Sequence, residues 1–179
     1  MVASPDFASW VTLTPVLPVT EILRLEPLTA EAFEPFGQVL QTRGHESRSI
    51  NQGLTDKFGG LAVPELGASG RGRLSIYRSR PVTLPFPLRE LERHRGLSQA
   101  FMPLHNRQFP IVVAGGGRQP GKLRAFLTDG RQGVCLHPGT WHHHQLSLEE
   151  VSEYLVVESR DNDSRTEVFD LPEGLLLQA

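Results

Sequence analysis

Four of the chain's seven histidines fall within His137-Pro138-Gly139-Thr140-Trp141-His142-His143-His144, beside a tight-turn dipeptide. Imidazole is the commonest metal ligand, and its ordinary pKa lies near neutrality, so histidines gathered on a constrained strand suit coordination or general acid–base work. The competing reading of the same run is a solvated surface loop. A second stretch, Glu92-Arg93-His94-Arg95-Gly96-Leu97-Ser98-Gln99, holds groups that can join them. On a strand, Glu92 and His94 point to one face. A tight turn marked by Gly96 is expected to return Gln99 beside them on the next strand, adding an amide oxygen to a carboxylate oxygen and an imidazole nitrogen. Pro138-Gly139 supplies the bend that aims His142, with Trp141 and His142 facing opposite sides of an extended chain. Glu92, His94, Gln99 and His142 are therefore the candidate metal ligands, a mixed nitrogen and oxygen set open to manganese, nickel, iron or zinc.

These residues need a scaffold that brings two distant segments together. Ile22 to Glu26 reads as a strand, and Thr29 to Glu34 as a short helix closed by Pro35 and Gly37. Beyond that, short extended runs recur between Gly, Pro, Asn and Asp, among them 73–80, 99–103, 109–114, 123–128, 133–137, 141–148, 151–158 and 166–171. Many short strands at this spacing imply a sandwich or barrel. Gly115-Gly116-Gly117-Arg118-Gln119-Pro120-Gly121 follows a strand without a helix behind it or a Gly-Lys-Ser/Thr ending, so it reads as a hairpin loop and not a phosphate cradle. No internal repeat or change of composition marks a boundary. Residues 1–20 are expected to be an irregular extension and residues 21–179 one domain.

At 179 residues, with 39% apolar and 21% charged residues, the chain can bury a core. Eighteen Lys and Arg against twenty Asp and Glu leave a formal charge of -2, without a basic stripe to neutralise phosphates, which argues against a nucleic-acid partner. No apolar run approaches the roughly 20 residues of a membrane helix. Cys135 is the only cysteine, so no internal disulfide can form, and it reads as a small core residue. Residues 1–20 contain no Lys or Arg and are interrupted by Pro5, Pro15 and Pro18, unlike a signal peptide. A cytoplasmic setting is expected.

The motif pair resembles that of the cupin superfamily, whose first motif carries His-x-His and then Glu and whose second carries Pro-x-Gly-x-x-His or a close variant. More closely, Ile50 to Leu54, Glu90 to His94, Gln99 to Pro103, Leu123 to Phe126, Gln132 to Val134 and His137 to His143 resemble the ureidoglycolate lyase family, over about residues 22–158. That resemblance implies a mainly β, single-domain cupin-type antiparallel β-barrel (a double-stranded β-helix or jelly roll) with one or two short helices. It implies a homodimer that uses a divalent metal ion to cleave ureidoglycolate to glyoxylate and urea during allantoin breakdown. Within it, His137 and His143 are the expected proton-transfer groups, although alternation turns His143 away from the face of His142. Arg78 and Arg124 are expected to hold the substrate carboxylate, Arg124 being equally an ion-pair partner, and Trp141 to wall the site. His45, His105 and His144 are given no role.

Two departures from the family pattern bear on substrate. Cys135-Leu136 stands where relatives tend to carry Asn-Tyr, and Glu158-Ser159-Arg160-Asp161 where they tend to carry Asp-Arg-Gly-Gly. The alternatives are a cupin acting on another small hydroxy acid, one that binds a carboxylate without catalysis, and a metal-dependent oxygenase or decarboxylase.

Overall fold

Alternating apolar and polar residues make strands here, and two sheets result. The computed structural model describes residues 21–161 and 163–179; the extension expected over 1–20 lies outside them. Eight strands form one sheet in the order Thr166–Asp170, Glu90–His94, Trp141–His142, Pro110–Ala114, Leu123–Leu127, Glu21–Pro27, Leu175–Gln178 and Phe86–Pro87. Five form the other in the order Gly37–Leu40, Gly133–Leu136, Gln99–Pro103, Ser152–Ser159 and Gly72–Ser79, and a separate ribbon pairs Arg48–Ile50 with Thr55–Lys57. This is a mainly β fold consistent with a cupin-type barrel. Between these strands the pairing is antiparallel except around Glu21–Pro27, which runs parallel to both its neighbours.

The helix is one short turn, Ala30–Phe33, capped by Thr29, whose hydroxyl oxygen accepts from the Ala32 amide at 3.1 Å. It buries Phe33, whose ring meets those of Phe36 and Phe126. These join Val39, Phe101, Ile111, Val113, Val134, Leu136, Tyr154 and Val156 in a core between the sheets. Each such side chain contributes on the order of 1.5–3 kcal/mol of burial. A second core, with Leu91, Val112, Ala114, Ala125, Trp141, Leu175 and Leu177, covers the other face of the larger sheet.

Two turns aim the candidate site. Gly96 (φ 68°) and Gly139 (φ 77°) both adopt the left-handed conformation that costs other residues roughly 1–2 kcal/mol. The His94 carbonyl accepts from both turns, from the Leu97 amide at 3.2 Å and the Gly139 amide at 3.0 Å. The two motifs are thus tied through one oxygen atom. The strand expected over 141–148 is only Trp141–His142. Its register with Pro110–Ala114 would set Gln145 opposite Pro110, which has no amide hydrogen to give.

Candidate metal centre

Glu92, His94 and His142 come from adjacent strands of the larger sheet, with His142 directly opposite Glu92. One potential ligand atom from each lies within 4.8 Å of the others. Glu92 Oε1 is 3.4 Å from His142 Nε2, and the two imidazole centroids are 5.4 Å apart. Gln99 also reaches the cluster, its Oε1 3.2 Å from His142 Nε2. It arrives by a different route from the one the sequence suggests. The Gly96 turn carries the chain from the larger sheet to the smaller, so Gln99 faces the histidines across the interior instead of lying beside them on the next strand.

Hydrogen-bond accounting defines the character of this cluster. The Thr140 carbonyl lies 3.0 Å from His142 Nδ1 and can only accept, so Nδ1 carries the proton. His142 Nε2 then faces two oxygens, those of Gln99 and Glu92. His94 Nδ1 sits 3.0 Å from the Thr166 hydroxyl, while its Nε2 is buried without a hydrogen-bond partner among the described residues. Converging lone pairs in a buried setting call for a cation between them, either a proton or a metal ion. Two imidazoles, a carboxylate and an amide oxygen make a donor set that fits a divalent ion.

The charge states agree. Burial, reinforced by neighbouring His142, lowers the His94 pKa and keeps the ring neutral, the form that coordinates metal. Contact with His142 holds the Glu92 carboxyl below its usual range, outweighing the opposite effect of burial. Beneath the cluster the interior is packed: the space among Phe101, Ile111, Val134, Leu136 and His142 is about 10 Å³, no more than one water fills. Access comes instead from the rim, where the Glu92 side chain is 33% exposed.

A family model described as ureidoglycolate lyase matches residues 20–178. The chain belongs to the ureidoglycolate lyase family. Proteins of that name from Burkholderia mallei, Brucella anthropi and Pseudomonas entomophila are 43%, 42% and 42% identical to it over 157, 151 and 158 residues. Those alignments cover 87%, 83% and 87% of this chain and 92%, 89% and 95% of the relatives. Among the described residues no helix is long and apolar enough to cross a membrane.

The other residues singled out in this family member make contacts outside the four-residue cluster. Arg78 occupies the outer face of its strand, its side chain 73% exposed and its guanidinium on Glu153 at 2.6 Å. Arg124 is held by both oxygens of Glu26 at 2.7 Å and by the Ala32 carbonyl at 2.8 Å, an ion-pair role that also fastens the helix. Trp141 is buried in the second core, with the Arg93 guanidinium 4.4 Å above its ring. His137 Nε2 contacts the Glu34 carbonyl at 3.1 Å, at the end of the helix. His143 faces Phe86, and burial drives its pKa down to about 4. Arg160 is exposed, its amide on the Arg71 carbonyl.

Sequence reasoning marked Glu158 only as a departure from the family pattern and missed the row it joins on the inner face of the smaller sheet. Glu158, 1% exposed, accepts from Gln99 Nε2 and Arg73 Nε, each at 2.8 Å, and from the hydroxyls of Ser75 at 3.3 Å and Tyr77 at 3.4 Å. Burial and the Glu158 charge push the Tyr77 phenol up to about 12, so it stays a donor. The available signal was the alternation Arg73, Ser75, Tyr77, which is polar where the opposite face carries Leu74 and Ile76.

Proposed function

We propose that this protein is a metal-assisted lyase that cleaves ureidoglycolate to glyoxylate and urea, with Glu92, His94, Gln99 and His142 as the metal ligands. The observation that carries the reading is the convergence of Glu92, His94 and His142, with His94 Nε2 buried and unpartnered among the described residues, in a member of the ureidoglycolate lyase family. Ureidoglycolate bears hydroxyl, carboxylate and ureido groups on one carbon. Cleavage breaks the hydroxyl O–H bond, forms the aldehyde C=O, and sends the carbon–nitrogen electron pair to the ureido nitrogen, which takes a proton and leaves as urea. A bound divalent ion supplies Lewis acidity toward the substrate oxygens. The chain's own groups do the rest. His94 and His142 are fixed by Thr166 and Thr140, so no reorientation is needed when substrate enters. Glu92, held ionised at the rim, is the group best placed to take the hydroxyl proton. His137 is engaged by the Glu34 carbonyl, and His143 packs against Phe86.

The test is incubation of divalent-ion-loaded protein with ureidoglycolate while glyoxylate and urea are quantified together. Equimolar products that vanish in His94→Ala are expected; folded, metal-loaded protein that releases neither would overturn the reading. The single reduced cysteine supports a cytoplasmic setting. A homodimer is supported by the Gly72–Ser79 edge strand, whose outward Leu74 and Ile76 are 72% and 54% exposed. Light scattering with only monomer at micromolar concentration would remove the dimer.

A further inference from the structure

An amide side chain has two nearly isosteric ends of opposite polarity, so a glutamine beside a metal centre is a ligand only if something decides which end faces in. The structure has Oε1 toward His142, at 3.2 Å, and Nε2 toward Glu158 Oε2, at 2.8 Å. A carboxylate can only accept, and this one lies in register beside Gln99 on the neighbouring strand, with Arg73 in register on its other side. Its burial at 1% exposure needs charged and polar partners, which Arg73, Ser75 and Tyr77 supply. Arg73, Glu158 and Gln99 thus form a row across three strands of the smaller sheet that ends at His142 of the larger one.

We propose that Glu158 is a positioning residue that locks the Gln99 amide with its oxygen toward the metal centre. The assignment rests on the metal-ligand reading of Glu92, His94, Gln99 and His142, and it gives a physical reason for a fully buried glutamate beside Gln99. Glu158 acts through Gln99 and does not itself meet substrate.

The experiment titrates Mn2+ into the full-length chain and follows the free-ion paramagnetic resonance signal, with no turnover involved. Glu158→Gln, whose amide can donate to Gln99 as well as accept, is expected to bind Mn2+ about 10- to 100-fold more weakly than wild type, the usual consequence of losing an outer partner of a ligand. The exchanged pair Gln99→Glu with Glu158→Gln restores a one-way donor–acceptor arrangement and a fixed inward oxygen, and is expected to recover wild-type affinity or better. A merely structural role for Glu158 would not be rescued this way. Wild-type affinity in Glu158→Gln, or an exchanged pair as weak as that single variant, overturns the positioning role while leaving the metal centre standing. Wild-type protein that takes up no divalent ion overturns both. Should Glu158→Gln fail to fold, hydrogen exchange of the Gln99 side-chain amide in the wild type decides: strong protection is expected, and exchange as fast as that of a solvent-facing glutamine refutes the lock.

Discussion

Replacing His94 by leucine should separate the stability of the fold from the stability conferred by a cation. His94 is 6% exposed, and its Nε2 is buried without a partner among the described residues. Leaving such a group unsatisfied costs about 1–3 kcal/mol, whereas the bond of Nδ1 with the Thr166 hydroxyl returns about 1 kcal/mol. Leucine removes both terms and fills similar space beside Leu97 and the His142 ring. The metal-free variant is therefore expected to be as stable as wild type or up to about 2 kcal/mol more stable, a rise of roughly 2–4 °C in Tm for each kcal/mol in a chain of this size. With a divalent ion at a hundred times its Kd the order reverses, because only wild type gains the roughly 2.7 kcal/mol of binding free energy. The assay is thermal unfolding of both proteins after chelator treatment and again after addition of Mn2+ or Zn2+. A chelated variant more than about 2 kcal/mol less stable than wild type would mean that His94 is an ordinary satisfied core residue. Equal stabilisation of the two proteins by the ion would place the metal elsewhere.

Three further outcomes follow from the surrounding structure. Trp141→Ala removes a side chain buried to 2% under Arg93 and is expected to cost about 3–5 kcal/mol, read as a lower denaturant midpoint; a loss below about 1 kcal/mol would be at odds with its place in the second core. Burial raises the Cys135 thiol from 9.0 to about 11, so the native protein should resist alkylation at mildly alkaline pH and react fully in denaturant. Because the folded pKa is the higher one, stability falls as pH rises from about 9 to about 11, by roughly 2–3 kcal/mol, and Cys135→Ala should abolish that part of the slope. Arg78→Ala should leave kcat/KM within about twofold of wild type, since its exposed pair with Glu153 faces outward; a loss of a hundredfold would return Arg78 to the substrate site.

Local alternation made much of the fold legible, and pairing made the rest illegible. The strands at 99–103, 123–127 and 166–170 and the helix near 30–33 stand in the sequence as periodic segments between turn residues, and the opposite facing of His142 and His143 follows from the two-residue repeat. Which face of a strand is inner does not follow from that repeat alone. In Gly72–Ser79 the usual inference inverts: Leu74 and Ile76 are outward and exposed, while Arg73, Ser75 and Tyr77 turn their polar groups inward to Glu158, Tyr77 remaining 36% exposed. Arg78 looked suitable on chemistry and shares the outer face with the leucine and isoleucine. Only the register with Ser152–Ser159, which sets Arg73 beside Glu158 and Tyr77 beside buried Tyr154, fixes the choice. The same lack of pairing information hid the parallel neighbours of the first strand and the crossing between sheets at Gly96.

That crossing explains why the four candidate ligands fall in two short motifs, yet need both sheets. If Gln99 lay beside His94 on the next strand of the same sheet, all four groups would project from one wall, and an ion among them would keep an open side toward the interior. With Gln99 on the opposing wall, donor atoms approach from two directions, and the Gly139 amide on the His94 carbonyl keeps the two turns from drifting apart. The arrangement also separates two tasks. The larger sheet supplies the two imidazoles and the rim carboxylate, while the smaller contributes one amide and the carboxylate that orients it. Sliding the sheets by even an ångström would lengthen the 3.2 Å Gln99–His142 contact without disturbing the Glu92–His142 pair, which lies within one sheet. Packing of the core between the sheets, around Phe101, Val113, Phe126 and Tyr154, therefore sets the coordination distance, and cavities cut there should weaken metal binding through residues that never touch the ion.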